Sequence, residues 1–261
     1  MTEFFKGTLD TMINRLCKTI ASFDAEWENR CVPATKNQIQ QLENIIEKHN
    51  YTLPIAYLEY LKKMGQDDGG LLEREWDGFA EPNIDRILEL FNNEDFYAIQ
   101  DLEKGLFLFS YHWTETHSYL KLSDYNDNPV VLEMNGEYFS GSFEKYLFWK
   151  AFKMYDEKFT YHPYIGTSVN DMDTVLKKYG FPCSVNGGTR EERMNFAKYL
   201  VEPYNIKKTW FSDELRYFSY DERYALTIDI RGSLLIEFSC NDPILKKQAM
   251  LQLNKIFHIC K

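Results

Sequence analysis

The side chains of this chain best suited to hold a metal or attack an electrophile are five histidines and five cysteines, and their spacing supports neither chemistry. His49, His112, His117, His162 and His258 form no HxxxH pair, and Cys17, Cys31, Cys183, Cys240 and Cys260 form no CxxC pair. A structural metal site usually announces itself through such close ligand pairs. His112 and His117 fall on a predicted strand and the loop after it. His258 and Cys260 lie two apart in a terminal helix and point different ways. No metal ligand and no cofactor is therefore expected. A serine nucleophile would sit in a GxSxG elbow, which is absent. A Cys/His pair assembled in space has no local signature here, and the thiols read as small buried apolar groups. Gly187-Gly188-Thr189 lacks the spacing and the lysine of a phosphate loop and reads as a turn with a helix cap. No catalytic residue is assigned, and the chain is not expected to be an enzyme.

Carboxylates are the richest chemical resource. Between Gln66 and Glu103 stand twelve acids and two bases, which accounts for the entire net charge of −10. Asp67, Asp68, Glu73, Glu75 and Asp77 lie close enough to hold a cation or to act as acid and base. Their spacing is not that of an EF-hand loop. Paired carboxylates divide catalytic labour only when their surroundings split their pKa values. A partner surface fits the pattern better. Trp76, Phe79, Phe91, Phe96 and Tyr97 are interleaved with the acids, and apolar anchors inside a charged rim give an interface both affinity and fast association. The candidate contacts are Asp67, Asp68, Glu73, Glu75, Trp76 and Asp77. The competing reading is a solvated acidic face over aromatics that fill a core. Phe91 and Phe96 are read as core, whereas Trp76 fits either role. A field of this sign repels nucleic acid and attracts basic partners.

These residues need a scaffold, and the composition allows one. At 261 residues, 44% hydrophobic and 16% aromatic, the chain can bury a sizeable core in one large or two small domains. No stretch approaches the roughly 20 apolar residues of a membrane span. The opening MTEFFKGTLDTMINRL has no continuous apolar run, so no secretory signal is expected. An odd number of scattered cysteines then fits reduced thiols in a cytoplasmic protein.

Periodicity and caps place the elements. Leu9, Ile13, Leu16 and Ile20 predict a helix over about Gly7 to Asp24. Thr35 with Gln38 has capping-box spacing, followed by Ile39, Leu42, Ile45 and Ile46 on one face. Leu53-Pro54 opens a second helix with Ile55, Leu58 and Leu61 inward, and Gly65 stops it as a C′ residue. Asn83 can cap a helix with Ile84, Ile87, Leu88 and Phe91. Strands follow at Leu106 to Tyr111, Ser118 to Leu122 and Val130 to Met134, the last turning at Asn135-Gly136 into Glu137 to Phe139. Ser142 caps a helix running to about Asp156, with Phe143, Leu147, Ala151 and Phe152 inward. Thr160 to Thr167 reads as a linker. Beyond it, Ser168 opens a helix to Tyr179, and Thr189 with Glu192 opens another to about Leu200. Strands are predicted at Lys207 to Phe211 and Arg216 to Ser219. A hairpin through Arg231-Gly232 follows, then a last helix from Pro243.

The run TKNQIQQLENIIEKHNYTLPIAYLEYLKKMG, from Thr35 to Gly65, resembles the entry of the SMI1/KNR4 (SUKH) superfamily: a helix with IxxLE, a Leu-Pro start, then xxYLxxLxxxG. The order of an acidic connector, antiparallel strands, Asn128-Pro129-Val130-Val131 and the Ser142-Phe143-Glu144-Lys145-Tyr146-Leu147 helix start extends the resemblance to about Phe159. Met64 stands where the family usually has Asn, and Ser110 to Thr116 lacks its usual glycines. The resemblance implies an α+β fold, a mainly antiparallel sheet flanked by helices over 1–159. A smaller α+β extension of no recognised family occupies 160–261. It also implies a protein-binding module rather than an enzyme. Bacterial members look like cytoplasmic immunity proteins that bind and neutralise a polymorphic toxin, often a nuclease. Eukaryotic members look like regulators or scaffolds tied to cell-wall synthesis or signalling. The partner implied by the first reading is a cognate protein toxin, a basic nuclease, with no direct contact to nucleic acid or membrane.

Overall fold

Local signals that close within three or four residues set most of the first half. In the computed structural model, which describes residues 11–72, 80–93, 96–112, 117–133, 138–166, 176–177, 180, 189–201, 207–213, 216–230 and 235–258, the first helix is α1 (Met12–Ala21). Its cap is Thr11, whose hydroxyl accepts the N–H of Asn14 at 3.3 Å. Helix α2 (Lys36–Lys48) carries the full capping box. Gln38 N–H donates to Thr35 Oγ1 at 3.3 Å, and Thr35 N–H donates to Gln38 Oε1 at 2.8 Å. Pro54 is the N-cap of α3 (Ile55–Met64). Asn83 caps α4 (Ile84–Asn92) through the N–H of Arg86 at 2.9 Å.

Helix α3 turns a different face inward from the one its aliphatic residues predict. Tyr57, Tyr60, Leu61 and Met64 are buried, while Ile55 is 54% exposed. The two tyrosines present far more apolar area than Ile55 and Leu58, so their stripe wins the core. Gly65 adopts φ −71°, not the left-handed conformation of a C′ residue. Glycine is required there by space instead: a Cβ would stand 2.8 Å from the Leu61 backbone.

The first sheet is antiparallel in the order β3-β4-β5-β6-β7. It consists of β3 (Ala80–Glu81), β4 (Leu106–His112), β5 (Ser118–Lys121), β6 (Val131–Glu133) and β7 (Tyr138–Ser140). A separate two-residue ribbon pairs β1 (Cys31–Val32) with β2 (Asp67–Asp68). The short α5 (Ala98–Glu103), which no periodicity announced, leads into β4. Ser142 Oγ accepts the N–H of Lys145 at the start of α6 (Phe143–Asp156). Between α3, β4 and α6 lies an aromatic cluster. Tyr57 meets Phe107 edge-on at 5.2 Å and Phe143 at 5.6 Å, and Phe109 meets Tyr146 at 5.5 Å. Each such pair adds about 0.5–1.5 kcal/mol beyond area burial. Phe91 stacks on Phe107 at 5.5 Å and is buried, as its helix position predicts.

The chain divides into two compact units, Met1–Met154 and Tyr155–Lys261. The division falls in the last turn of α6, a few residues before the boundary expected at Phe159. In the second unit, the stretch predicted to be a linker contains β8 (Tyr164–Gly166), which pairs antiparallel with β11 (Leu235–Cys240). The capping box at Thr189 forms, with Glu192 N–H on Thr189 Oγ1 at 3.2 Å, and opens α7 (Arg190–Val201). Lys207 to Phe211 is not a strand. Thr209 N–H donates to the Phe218 carbonyl and Ser212 N–H folds back on the Thr209 carbonyl, which makes a turn. β9 (Arg216–Asp221) and β10 (Tyr224–Asp229) complete the antiparallel order β8-β11-β10-β9, and α8 (Pro243–His258) packs on β11. Both units are mixed helix and antiparallel sheet, which makes the fold α+β. Most of the helix expected over Ser168–Tyr179, and the turns at Asn135-Gly136 and Arg231-Gly232, lie outside the described residues. Among the described residues, no helix is long and apolar enough to cross a membrane.

Candidate interaction face at the acidic connector

The two adjacent aspartates that open the connector have opposite fates. Alternation along β2 sends Asp67 outward and Asp68 inward. Asp68 is 3% exposed. Its Oδ1 accepts the N–H of Leu71 at 2.9 Å, and its Oδ2 accepts the N–H of Leu72 at 3.0 Å and the hydroxyl of Tyr60 at 3.1 Å. Its carbonyl accepts the indole N–H of Trp27 at 3.0 Å. The carboxylate thus ties the connector to α3, and burial with this charge beside it holds the Tyr60 hydroxyl well above the usual phenol range. Asp68 is a buried anchor and not a surface contact, which corrects its place among the candidate contacts. Asp67 is exposed and folds its Oδ1 onto the N–H of Gly69 at 2.8 Å. Gly69 takes φ +64°, and a Cβ there would come within 2.7 Å of Trp27 Nε1, so both conformation and space demand glycine.

Glu73, Glu75, Trp76 and Asp77, the remaining candidate contacts, lie outside the described residues, as does Phe79. The residues on either side of them frame a shallow depression of about 90 Å³ lined by Tyr60, Met64, Gln66, Asp67, Asp68, Pro82 and Asn83. Small-molecule sites run to several hundred Å³, so this one suits a single side chain better than a metabolite. Its rim carries a polar network that sequence spacing did not reveal. Gln38 Nε2 donates to Asp85 Oδ1 at 2.6 Å and to Gln66 Oε1 at 2.9 Å, and Gln66 Nε2 donates to Asp85 Oδ2 at 2.8 Å. Gln38 was legible only as a capping residue; its second role depends on partners 28 and 47 positions away.

The acidic excess is partly neutralised in place. Arg86 pairs with Glu81 at 2.8 Å and Glu89 at 2.7 Å, and lies 4.9 Å over the Tyr111 ring. Asp101 accepts from Lys104 at 3.0 Å and from the Tyr119 hydroxyl at 3.2 Å. Asp67, Asp85, Glu89 and Glu103 keep exposed side chains. Phe96 and Tyr97 stack on each other at 4.2 Å and are half-buried, with Phe96 edge-on to Tyr111.

The nucleophile candidates are quiet. Burial pushes the Cys17 thiol up to about 11 and the Cys31 thiol up to about 12, so neither supplies thiolate near neutrality. His117 accepts the backbone N–H of His112 on Nδ1 at 3.1 Å and stacks on Tyr111 at 4.7 Å. Burial, reinforced by His112 and opposed by Asp101, lowers its pKa to about 4, which keeps it neutral. It is a core acceptor. Comparison with protein-family models, with curated proteins and with solved structures finds no match.

Proposed function

We propose that this chain is a protein-binding module that masks a basic partner. On this reading it acts as an immunity protein that neutralises a toxin nuclease stoichiometrically. The observation that carries this reading is charge placement: all of the net negative charge resides in the connector region. Asp67 and Asp85 stand exposed beside a depression sized for one side chain. A nuclease cleft must attract phosphate and is therefore basic. An acidic face with aromatic anchors complements such a cleft, steers encounter and occludes the site without turnover. The Thr35–Gly65 resemblance supports the same reading from the sequence side.

The test is a pull-down from lysate of the source organism with the full chain as bait, followed by nuclease assays on what is retained. A basic nuclease domain silenced at one-to-one stoichiometry supports the reading. Recovery of wall-synthesis or signalling proteins alone replaces it with a regulatory role. With the partner in hand, reversing Glu73, Glu75 and Asp77 to lysine is expected to slow association by at least about tenfold at low salt and to flatten its salt dependence. Unchanged kinetics would remove the connector from the interface.

A further inference from the structure

The second unit brings together three side chains that sequence spacing keeps far apart. The pairing of β8 with β11 (Leu235 opposite Gly166, Glu237 opposite Tyr164) continues past the end of β8 in the same register. Phe238 N–H donates to the Pro163 carbonyl at 2.9 Å, and Tyr161 bridges Cys240. This register sets His162 opposite Ser239, with Glu237 one step along the same face. The contact is direct: His162 Nδ1 lies 2.9 Å from Ser239 Oγ. Asp156, buried at the end of α6, reaches the same point, its Oδ2 3.8 Å from His162 Nδ1. One ligand atom each from Asp156, His162 and Glu237 falls within 4.8 Å of the other two.

The imidazole is oriented through its far nitrogen. His162 Nε2 lies 2.7 Å from the Phe159 carbonyl. A carbonyl only accepts, so Nε2 carries the proton; an unprotonated Nδ1 then accepts the Ser239 hydroxyl at 2.9 Å, a bond that a metal would replace, with Asp156 Oδ2 3.8 Å away. A histidine ligand oriented by a backbone carbonyl on its other nitrogen is the usual outer-shell arrangement of protein metal sites. A second observation points to the same face. Register sets Thr227 of β10 opposite Glu237. Its hydroxyl is buried and has no hydrogen-bond partner among the described residues. A buried polar orphan calls for an ion or a water nearby.

We propose that Asp156, His162 and Glu237 form a site for a zinc-type divalent ion. One imidazole nitrogen and two carboxylate oxygens suit that borderline ion, and two negative charges balance its two positive ones. Bonds of about 2.0–2.2 Å in tetrahedral geometry need ligand atoms about 3.4 Å apart, so closure asks for movements of about 1 Å. Glu237 and His162 are partly exposed, which leaves an entry path and supplies the flexibility. Ser239 Oγ, 2.9 Å from His162 Nδ1, is in reach of the fourth position. Cys240 is excluded as a ligand because alternation turns it to the opposite face.

The test uses the full chain freed of metal, titrated with Zn²⁺ by calorimetry and with Co²⁺ by visible absorption. One equivalent of each is expected to bind, with Co²⁺ giving the absorption bands of a low-coordinate site. His162→Ala and Glu237→Gln are each expected to weaken Zn²⁺ binding at least about 100-fold, since loss of even an outer-shell partner costs 10–100-fold. Circular dichroism confirms that each variant is folded. Should His162→Ala fail to fold, Glu237→Gln, at a partly exposed strand position, carries the test. Absence of stoichiometric binding by the wild-type chain overturns the proposal, and so does binding that survives both substitutions.

Discussion

Replacing Asp68 separates a structural carboxylate from a surface one. Asp68→Ala removes the acceptor of three buried donors: the Leu72 N–H and the Tyr60 hydroxyl are left without one, and the Leu71 N–H keeps only the long 3.3 Å bond to the residue-68 backbone carbonyl. Hydrogen bonds to a charged group contribute about 1.5–3 kcal/mol each, and the three share one acceptor, so their losses add incompletely. The expected destabilisation of the first unit is about 4 kcal/mol, a large part of the 5–15 kcal/mol that holds a typical domain. At roughly 2–4 °C per kcal/mol for a unit of this size, the melting temperature falls by about 8–16 °C. Differential scanning calorimetry and urea titration followed by far-ultraviolet dichroism read the change. Asp67→Ala is the control, because its side chain is exposed, and it is expected to cost less than about 1 kcal/mol. In the double variant Asp68→Ala/Tyr60→Phe one orphaned donor is gone, so the two losses are expected to fall short of additivity by about 1 kcal/mol. If Asp68→Ala costs under 1 kcal/mol, or the two aspartates behave alike, the assignment of Asp68 as the anchor of the connector is refuted.

His117 makes stability depend on pH. Its folded pKa of about 4 lies below the unfolded value near 6.5, so its stabilisation is fully present above pH 6.5 and is lost as pH falls toward 4, with no further loss below that. The window of about 2.5 pH units corresponds to at most about 3 kcal/mol. Urea midpoints at pH 7.5 and 4.5 should differ more in wild type than in His117→Asn, which keeps an acceptor for the His112 N–H but does not titrate; equal differences count against it. The raised thiols of Cys17 and Cys31 predict negligible alkylation by iodoacetamide in the folded chain at pH 7.5 and rapid alkylation in urea. Peptide mass mapping distinguishes the two cases, and prompt labelling of Cys17 under native conditions would contradict the burial argument.

What the chain determines locally is legible in its letters. The capping boxes at Thr35/Gln38 and Thr189/Glu192, and the caps at Asn83 and Ser142, form as written, because each closes between residues three apart and needs nothing else. The strand runs from Leu106 and Arg216 are found because apolar and aromatic content acts over a few residues. The concentration of charge in the connector is likewise a property of sequence alone. Pairing partners are not. Tyr164 to Gly166 has too few residues to announce a strand and becomes one only when β11, some seventy residues later, offers its edge. Lys207 to Phe211 carries strand-like residues yet turns, because Thr209 and Ser212 find closer partners. The inward face of α3 was settled by which side chains buried most area against Phe107, Phe109 and Phe143. Asp67 and Asp68 are identical in type and adjacent in sequence; only the pairing of β2 with β1 decides which one faces water. The convergence of Asp156, His162 and Glu237 is tertiary for the same reason, since a strand register and a helix end, not a spacing motif, bring their ligand atoms together.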